Sequence, residues 1–203
     1  MSNLLPLIVD WQITSTCTRQ CSFCYGPQSI TDLETEETLS IVDALERIGV
    51  RVVGITGGEP LLRQDLTKVF AHIKSKNLAI CLSTNCDLYE TARDAILQHV
   101  DAIGIPVDGS NSTLHDSLRG RGNFDKVLSA LSDISSHPGI KLRIGTVATS
   151  SNIHDLPNIE KVLEPYERQI VNWKIYEYVI YSEKHQATEM SVLYRTNAQE
   201  VIA

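Results

Sequence analysis

The sequence predicts an α/β protein built on a parallel sheet. Apolar, β-branched runs alternate with helix-period segments six times along the chain. The runs are apolar on both faces, as in IVDW, VVGI and AIGIPV, which is the pattern of strands buried between layers. Parallel strands need crossovers, and right-handed crossovers put helices on the outside. Alternation alone fits either an open doubly wound sheet or a barrel, closed or partly closed.

The elements follow in order. Leu7 to Thr14 (LIVDWQIT) reads as the first strand, and a cysteine loop over residues 15–28 comes next. Thr35 to Ile48 reads as a helix with Leu39, Val42, Leu45 and Ile48 on one stripe, acidic at its start and stopped by Gly49. Arg51 to Thr56 is a second strand, ending at Gly57 and Gly58. Asp65 to Lys76 is helical, with Leu66, Val69, Phe70 and Ile73 inward. Leu78 to Thr84 is a strand, Thr91 to His99 a helix and Ala102 to Val107 a strand. Asn123 is placed to cap a helix carrying Phe124, Val127, Leu128, Leu131 and Ile134. Ile140 to Ala148 is the fifth strand. Asp155 and Pro157 open a helix to Leu163, and Asn172 to Tyr181 is the sixth strand. Residues 187–203 are weakly periodic and read as a tail or last helix. Trp11 and Trp173 are expected in the core, and Cys81 as a buried thiol.

Composition narrows the class. At 203 residues, a single domain over 1–203 is the expectation. With 42% hydrophobic and 21% charged residues, the chain has enough apolar content to fold, which excludes a disordered protein. The formal charge of −7 counts against nucleic acid and anionic membranes as partners. No run reaches the roughly 18 apolar residues of a membrane span. The opening MSNLLPLIVDW lacks the basic-then-apolar pattern of a signal peptide, so a cytoplasmic setting is expected.

Five cysteines in such a chain point to metal or redox chemistry rather than disulfides. Cys17, Cys21 and Cys24 share one short loop, close enough to hold one metal centre. Structural zinc wants four ligands, and the nearest histidine in sequence is His72. A four-iron cluster on three cysteines leaves one iron open for a ligand. Zinc completed by Cys81, Cys86 or a distant histidine is the competing reading, as a binding module without catalysis. Position adds weight to the first reading. The cysteine loop, GGEP at 57–60, STNC at 83–86 and VDG at 107–109 each follow a strand, and parallel strands gather such ends on one ligand-binding face.

These residues resemble the radical S-adenosylmethionine (SAM) superfamily. CTRQCSFC with its aromatic Phe23, GGEP, STN, VDG and HDSLRG at 115–120 carry the likeness. It implies a partial (β/α)6 barrel, TIM-like, and an enzyme. A [4Fe-4S] cluster would sit on Cys17, Cys21 and Cys24, its fourth iron chelated by SAM. Reductive cleavage would give a 5′-deoxyadenosyl radical that takes hydrogen from a substrate. The resemblance assigns to SAM the residues Phe23, Gly57, Gly58, Glu59, Pro60, Ser83, Asn85, Asp108, Arg119, Thr146 and Tyr178. Within that set, Gly57 and Gly58 allow close backbone approach to a ligand, Glu59 could accept from the SAM ammonium, and Arg119 could pair with the carboxylate. Val147 and Tyr176 would join Thr146 and Tyr178 along the adenine and substrate sides.

Departures from the family pattern are also visible. Pro106 stands where many relatives have serine, so the hydroxyl contact falls to Ser83 or Thr84. Cys86 replaces a glycine, and no cysteine follows it, which argues against a second cluster. Residues 119–123 (RGRGN), KLRIGTVATSSNI and NWKIYEY resemble viperin-like nucleotide dehydratases, whereas CYGPQSI lacks that family's histidine and lysine pattern. The expected substrate is a small polar molecule, nucleotide- or sugar-like, with a ribosomally made peptide as alternative. Expected partners are a reductase such as flavodoxin or ferredoxin, and a protein or dimer mate closing the barrel side. Strand alternation puts Tyr176 and Tyr178 on one face, toward the substrate, and Tyr181 on the other.

Overall fold

The computed structural model describes residues 8–21, 23, 24, 26 and 31–178. Its strands are β1 (Ile8–Thr14), β2 (Val52–Gly57), β3 (Ala79–Ser83), β4 (Ala102–Pro106), β5 (Lys141–Ala148) and β6 (Ile170–Glu177). They form one six-stranded sheet in sequential order. The pairs β1/β2, β2/β3, β3/β4 and β5/β6 are parallel. The helices are α1 (Thr35–Arg47), α2 (Leu66–Ser75), α3 (Tyr89–His99), α4 (Ser112–Arg119), α5 (Asn123–Ser135) and α6 (Leu156–Leu163). Among the described residues, no helix is long and apolar enough to cross a membrane.

Contacts group the chain into two compact units. The first comprises Met1–Thr18, Gly26–Gly104 and His137–Lys141; the second comprises Arg19–Tyr25, Ile105–Ser136 and Leu142–Ala203.

In the first unit, one sheet face is sealed by helices. Val53, Ile55, Ile80, Leu82 and Ile103 are wholly buried, as are Val42 of α1, Val69, Phe70 and Ile73 of α2, and Ile96 of α3. Each such side chain contributes roughly 1.5–3 kcal/mol. The opposite face is small and polar, with Asp10, Gln12 and Ser83 exposed. Gly54 belongs to it, because a Cβ there would lie 2.0 Å from Asp10 Oδ1.

In the second unit, Leu142 and Ile144 of β5 are buried, together with Val127, Leu131 and Ile134 of α5 and Ile159 of α6. A bulge between Leu142 and Arg143 sets the β6 register, so Val147 pairs with Tyr176 and Thr146 with Ile175. Tyr176 therefore shares the face of Gly145 and Val147, and its ring lies 3.5 Å from where a Gly145 Cβ would be.

Several expectations need correction. Ile48 ends the predicted α1 stripe but is 45% exposed, because it is the residue after the last helical turn. Helix α4 went unpredicted: it is short and polar, and Asn111 caps it by accepting from Leu114 N at 3.1 Å. Asn123 does not cap α5; Gly122 does, at φ 75°, while the Asn123 amide oxygen is engaged with His115. Asp155 precedes α6 as expected, yet its carboxylate accepts from Ser110 N and Oγ instead of from that helix's backbone. Strand β6 begins at Ile170, two residues before Asn172, and Trp11 and Trp173 are half-buried. The expected segment 187–203 and Tyr181 lie outside the described residues.

Candidate functional site

The first unit carries Cys17 and the GGEP turn. A bulge where Gln12 pairs with Thr56 but Thr14 with Gly57 turns the end of β1 toward that turn. Gly58 N then donates to Thr14 O and Glu59 N to Thr16 O, both at 2.8 Å. A Cβ on Gly57 would strike Thr14 O, and one on Gly58 would strike Thr16 O, each at 2.2 Å. Gly57 also sits at φ 143°. What these glycines admit so closely is the cysteine loop's own backbone, a role the sequence argument did not assign them.

Glu59 differs from expectation in the same way. It is wholly buried, and its carboxylate accepts from Leu61 N at 3.1 Å, the Thr84 hydroxyl at 2.8 Å and Asn85 N at 2.7 Å. Burial raises its pKa against the pull of those donors. Its side chain binds the turn after β2 to the turn after β3, while Pro60 is buried in the one-turn helix beyond it. The Thr84 hydroxyl is thereby committed, and the exposed hydroxyl at this strand end is Ser83.

Asn85 is nearly buried and directs its amide at the cysteine loop, 2.9 Å from Thr18 Oγ1 and 3.7 Å from Cys17 Sγ. Cys81 is buried inside β3, and Cys86 is buried at φ 68° in the turn after it, in the left-handed region that favours glycine. His72 pairs with Asp43 at 2.9 Å.

The second unit carries Cys21, Cys24 and Phe23. Arg19 Nη1 donates to the carbonyls of Arg119 and Gly120 at 3.0 and 2.8 Å, so a cation meets the C-terminal end of α4. Arg119 Cζ lies 5.0 Å from the Phe23 ring centre, within cation–π range. Asp108, wholly buried, accepts from Arg119 Nε at 2.5 Å and from Val147 N at 2.7 Å. Burial disfavours the Arg119 charge, but the Asp108 carboxylate, with Cys21 and Cys24 nearby, outweighs that and raises its pKa.

Beneath this pair lies a group to which the sequence reading gave no role of its own. His115 Nδ1 accepts from Asp108 N at 3.1 Å, so Nε2 carries the proton and donates to Asn123 Oδ1 at 2.9 Å. Burial lowers the His115 pKa and keeps it neutral. Asn152 completes the support by donating to Asp108 O and Val147 O. The signal was present: His115 and Arg119 stand four apart on one helix, one turn of the same face.

Thr146 is wholly buried, donating to Val107 O at 2.6 Å and accepting from Trp173 Nε1 at 2.9 Å. Its hydroxyl is spent on the side of the sheet opposite Val147. Tyr178 is nearly buried with Leu118, against Phe23 and Val147.

Among the described residues, no three His, Cys, Asp or Glu side chains are gathered closely enough to hold a metal ion. None of the five cysteines is in a disulfide. An amide N–H at Cys17 and a guanidinium near Cys21 and Cys24 suit thiolates that carry negative charge on a cluster.

Both the sequence and the fold are similar to those of known proteins. The chain belongs to the radical SAM superfamily, whose sequence profile matches residues 11–160. That family uses a [4Fe-4S] cluster and SAM. The mycofactocin maturase MftC of Mycolicibacterium smegmatis is 29% identical over 167 residues, which is 79% of this chain and 42% of that protein. An Fe-coproporphyrin III synthase of Methanosarcina barkeri is 31% identical, over 77% of this chain and 41% of its own length. The chain thus spans less than half the length of these relatives. SuiB of Streptococcus suis with bound S-adenosylmethionine shares the fold at TM-score 0.77 and 17% identity, over 95% of this chain and 44% of that one. The protein anSMEcpe with AdoMet and a peptide aligns at TM-score 0.77 and 18% identity, over 95% of this chain and 56% of that one.

Proposed function

We propose that the chain is the radical-generating core of an enzyme that modifies a peptide. The observation that carries this is the docking of the Cys17 limb on the GGEP turn, with the Asn85 amide at the Cys17 sulfur. Cys17, Cys21 and Cys24 would hold the cluster. The backbone of Gly57–Pro60, the Ser83 hydroxyl and Arg119 would meet SAM, and Phe23 and Tyr178 would line its adenine side. When bound, cluster and SAM supply reductive cleavage and a 5′-deoxyadenosyl radical that takes a hydrogen atom from substrate. Asp108 holds Arg119 through Nε, and the terminal guanidinium nitrogens would pair with the SAM carboxylate. Electrons would come from a flavodoxin- or ferredoxin-type reductase in the cytoplasm.

The peptide reading draws on the relatives: one is named a mycofactocin maturase, SuiB has been solved bound to the precursor peptide SuiA, and anSMEcpe with AdoMet and a Kp18Cys peptide. A second reading, a small anionic molecule of nucleotide or sugar type, is favoured by Arg143 and Lys174. Their register places them on the Tyr176 face of β5 and β6.

Anaerobically reconstituted protein, reduced with dithionite and given SAM, is expected to release 5′-deoxyadenosine. Release should rise with the true substrate, tested as candidate precursor peptides against nucleotides and sugar phosphates. Zinc without iron or sulfide, or a full cluster that never cleaves SAM, would reduce the chain to a binding module.

A further inference from the structure

The amide of Asn85 has one orientation open to it. Its Oδ1 accepts from Asp87 N at 2.8 Å, closing a turn just beyond β3. Its own backbone N–H is held by Glu59 at 2.7 Å. Nδ2 must therefore face the cysteine loop, where two acceptors wait for two protons. Thr18 Oγ1 gives its own proton to Asp87 Oδ2 at 2.9 Å, so it receives one Nδ2 proton at 2.9 Å. The other Nδ2 proton has Cys17 Sγ at 3.7 Å, a normal reach for the larger sulfur atom. A buried carboxylate, an Asx turn and a threonine hydroxyl thus combine to aim one N–H at one thiol.

We propose that Asn85 raises the reduction potential of the cluster bound by Cys17, by donating a hydrogen bond to that thiolate. An N–H dipole at a ligand sulfur stabilises the more negative, reduced state more than the oxidised one. Reduction adds one electron from an external low-potential donor, dithionite in the test, and no bond to Asn85 or Cys17 forms or breaks. The inference rests on the cluster assignment made above. It makes Asn85 a positioning residue for the electron-accepting step, distinct from any contact with SAM.

The test is an EPR-monitored redox titration without SAM, on wild-type, Asn85→Ala and Asn85→Asp proteins, each assayed for iron and sulfide. Both variants are expected to hold the cluster at lower midpoint potential, with Asp lower than Ala because it replaces the donor with negative charge. Asn85→Asp keeps the acceptor for Asp87 N, so the turn closes even if the alanine variant folds poorly. Unchanged potentials at full cluster content would overturn the proposal. A wild-type protein that assembles no iron–sulfur cluster would instead overturn the functional reading on which it depends.

Discussion

The Asp32 carboxylate accepts from the Thr14 hydroxyl at 2.7 Å, joining residues 18 apart across the base of the cysteine loop. Its other oxygen accepts from Ser15 N at 3.3 Å. Arg63 braces the same base: Nη1 donates to Ile13 O at 3.1 Å and Nη2 to Leu33 O at 3.2 Å, while Asp65 holds the guanidinium. Both ends of the loop are thus held in the first unit. Asp32→Ala is expected to cost about 1–2 kcal/mol, the scale of lost hydrogen bonds to a charged acceptor. Iron incorporation should fall with it. Asn at this position keeps one acceptor and should recover part of both. Urea melts of the apo proteins and iron assays check this; full stability in Asp32→Ala would remove the role.

The cysteines separate by placement. Ala at Cys17, Cys21 or Cys24 should each abolish cluster assembly under anaerobic reconstitution. Cys81 and Cys86 are buried in the sheet and its turn, so their alanine variants should assemble a cluster at reduced stability, about 1 kcal/mol for the lost side-chain burial. A requirement for either buried thiol would show that the ligand set is wrong.

Gly58→Val probes the docking of the loop. A Cβ at 2.2 Å from Thr16 O forces the cysteine limb off the turn. The apo protein should lose about 1–3 kcal/mol, the scale of overpacking. That loss in the absence of SAM separates loop docking from cofactor contact. If apo melts match wild type while only SAM affinity drops, the glycine serves the ligand instead.

His115 predicts a pH dependence. Its folded pKa lies below the ordinary 6.5 because of burial, with Asn123, Asp108, Arg119 and Asp116 as its polar and charged neighbours. A group that resists protonation when folded has its contribution intact above the unfolded pKa. That contribution is lost as pH falls from 6.5 toward the folded value, by up to about 1.4 kcal/mol per pH unit. His99 shifts in the same direction, so the readout is the difference made by His115→Asn. That variant should flatten the stability profile below pH 6.5 relative to wild type. Parallel profiles would show that His115 protonates freely in the folded state.

Much of this protein was legible from local pattern. Leu66, Val69, Phe70 and Ile73 read as the inward stripe of a helix, and all four are buried in α2. The six strands and the family followed from apolar runs and from short motifs set after them, because strand period and loop chemistry are properties of neighbouring residues. What each motif residue does was decided elsewhere. Glu59 and Thr146 look like ligand contacts in sequence, yet Glu59 accepts from Asn85 N, 26 residues away, and Thr146 donates to Val107 O, 39 residues away. His115 was visible only as part of the HDSLRG motif, and Asp32 and Arg63 carried no recognised signal, although each braces the turns of its own unit. A side chain's hydrogen-bonding capacity is small and is claimed by whatever the fold brings within about 3 Å. Spacing along the chain names the groups available, and only the packed sheet and its turns determine which of them are already satisfied.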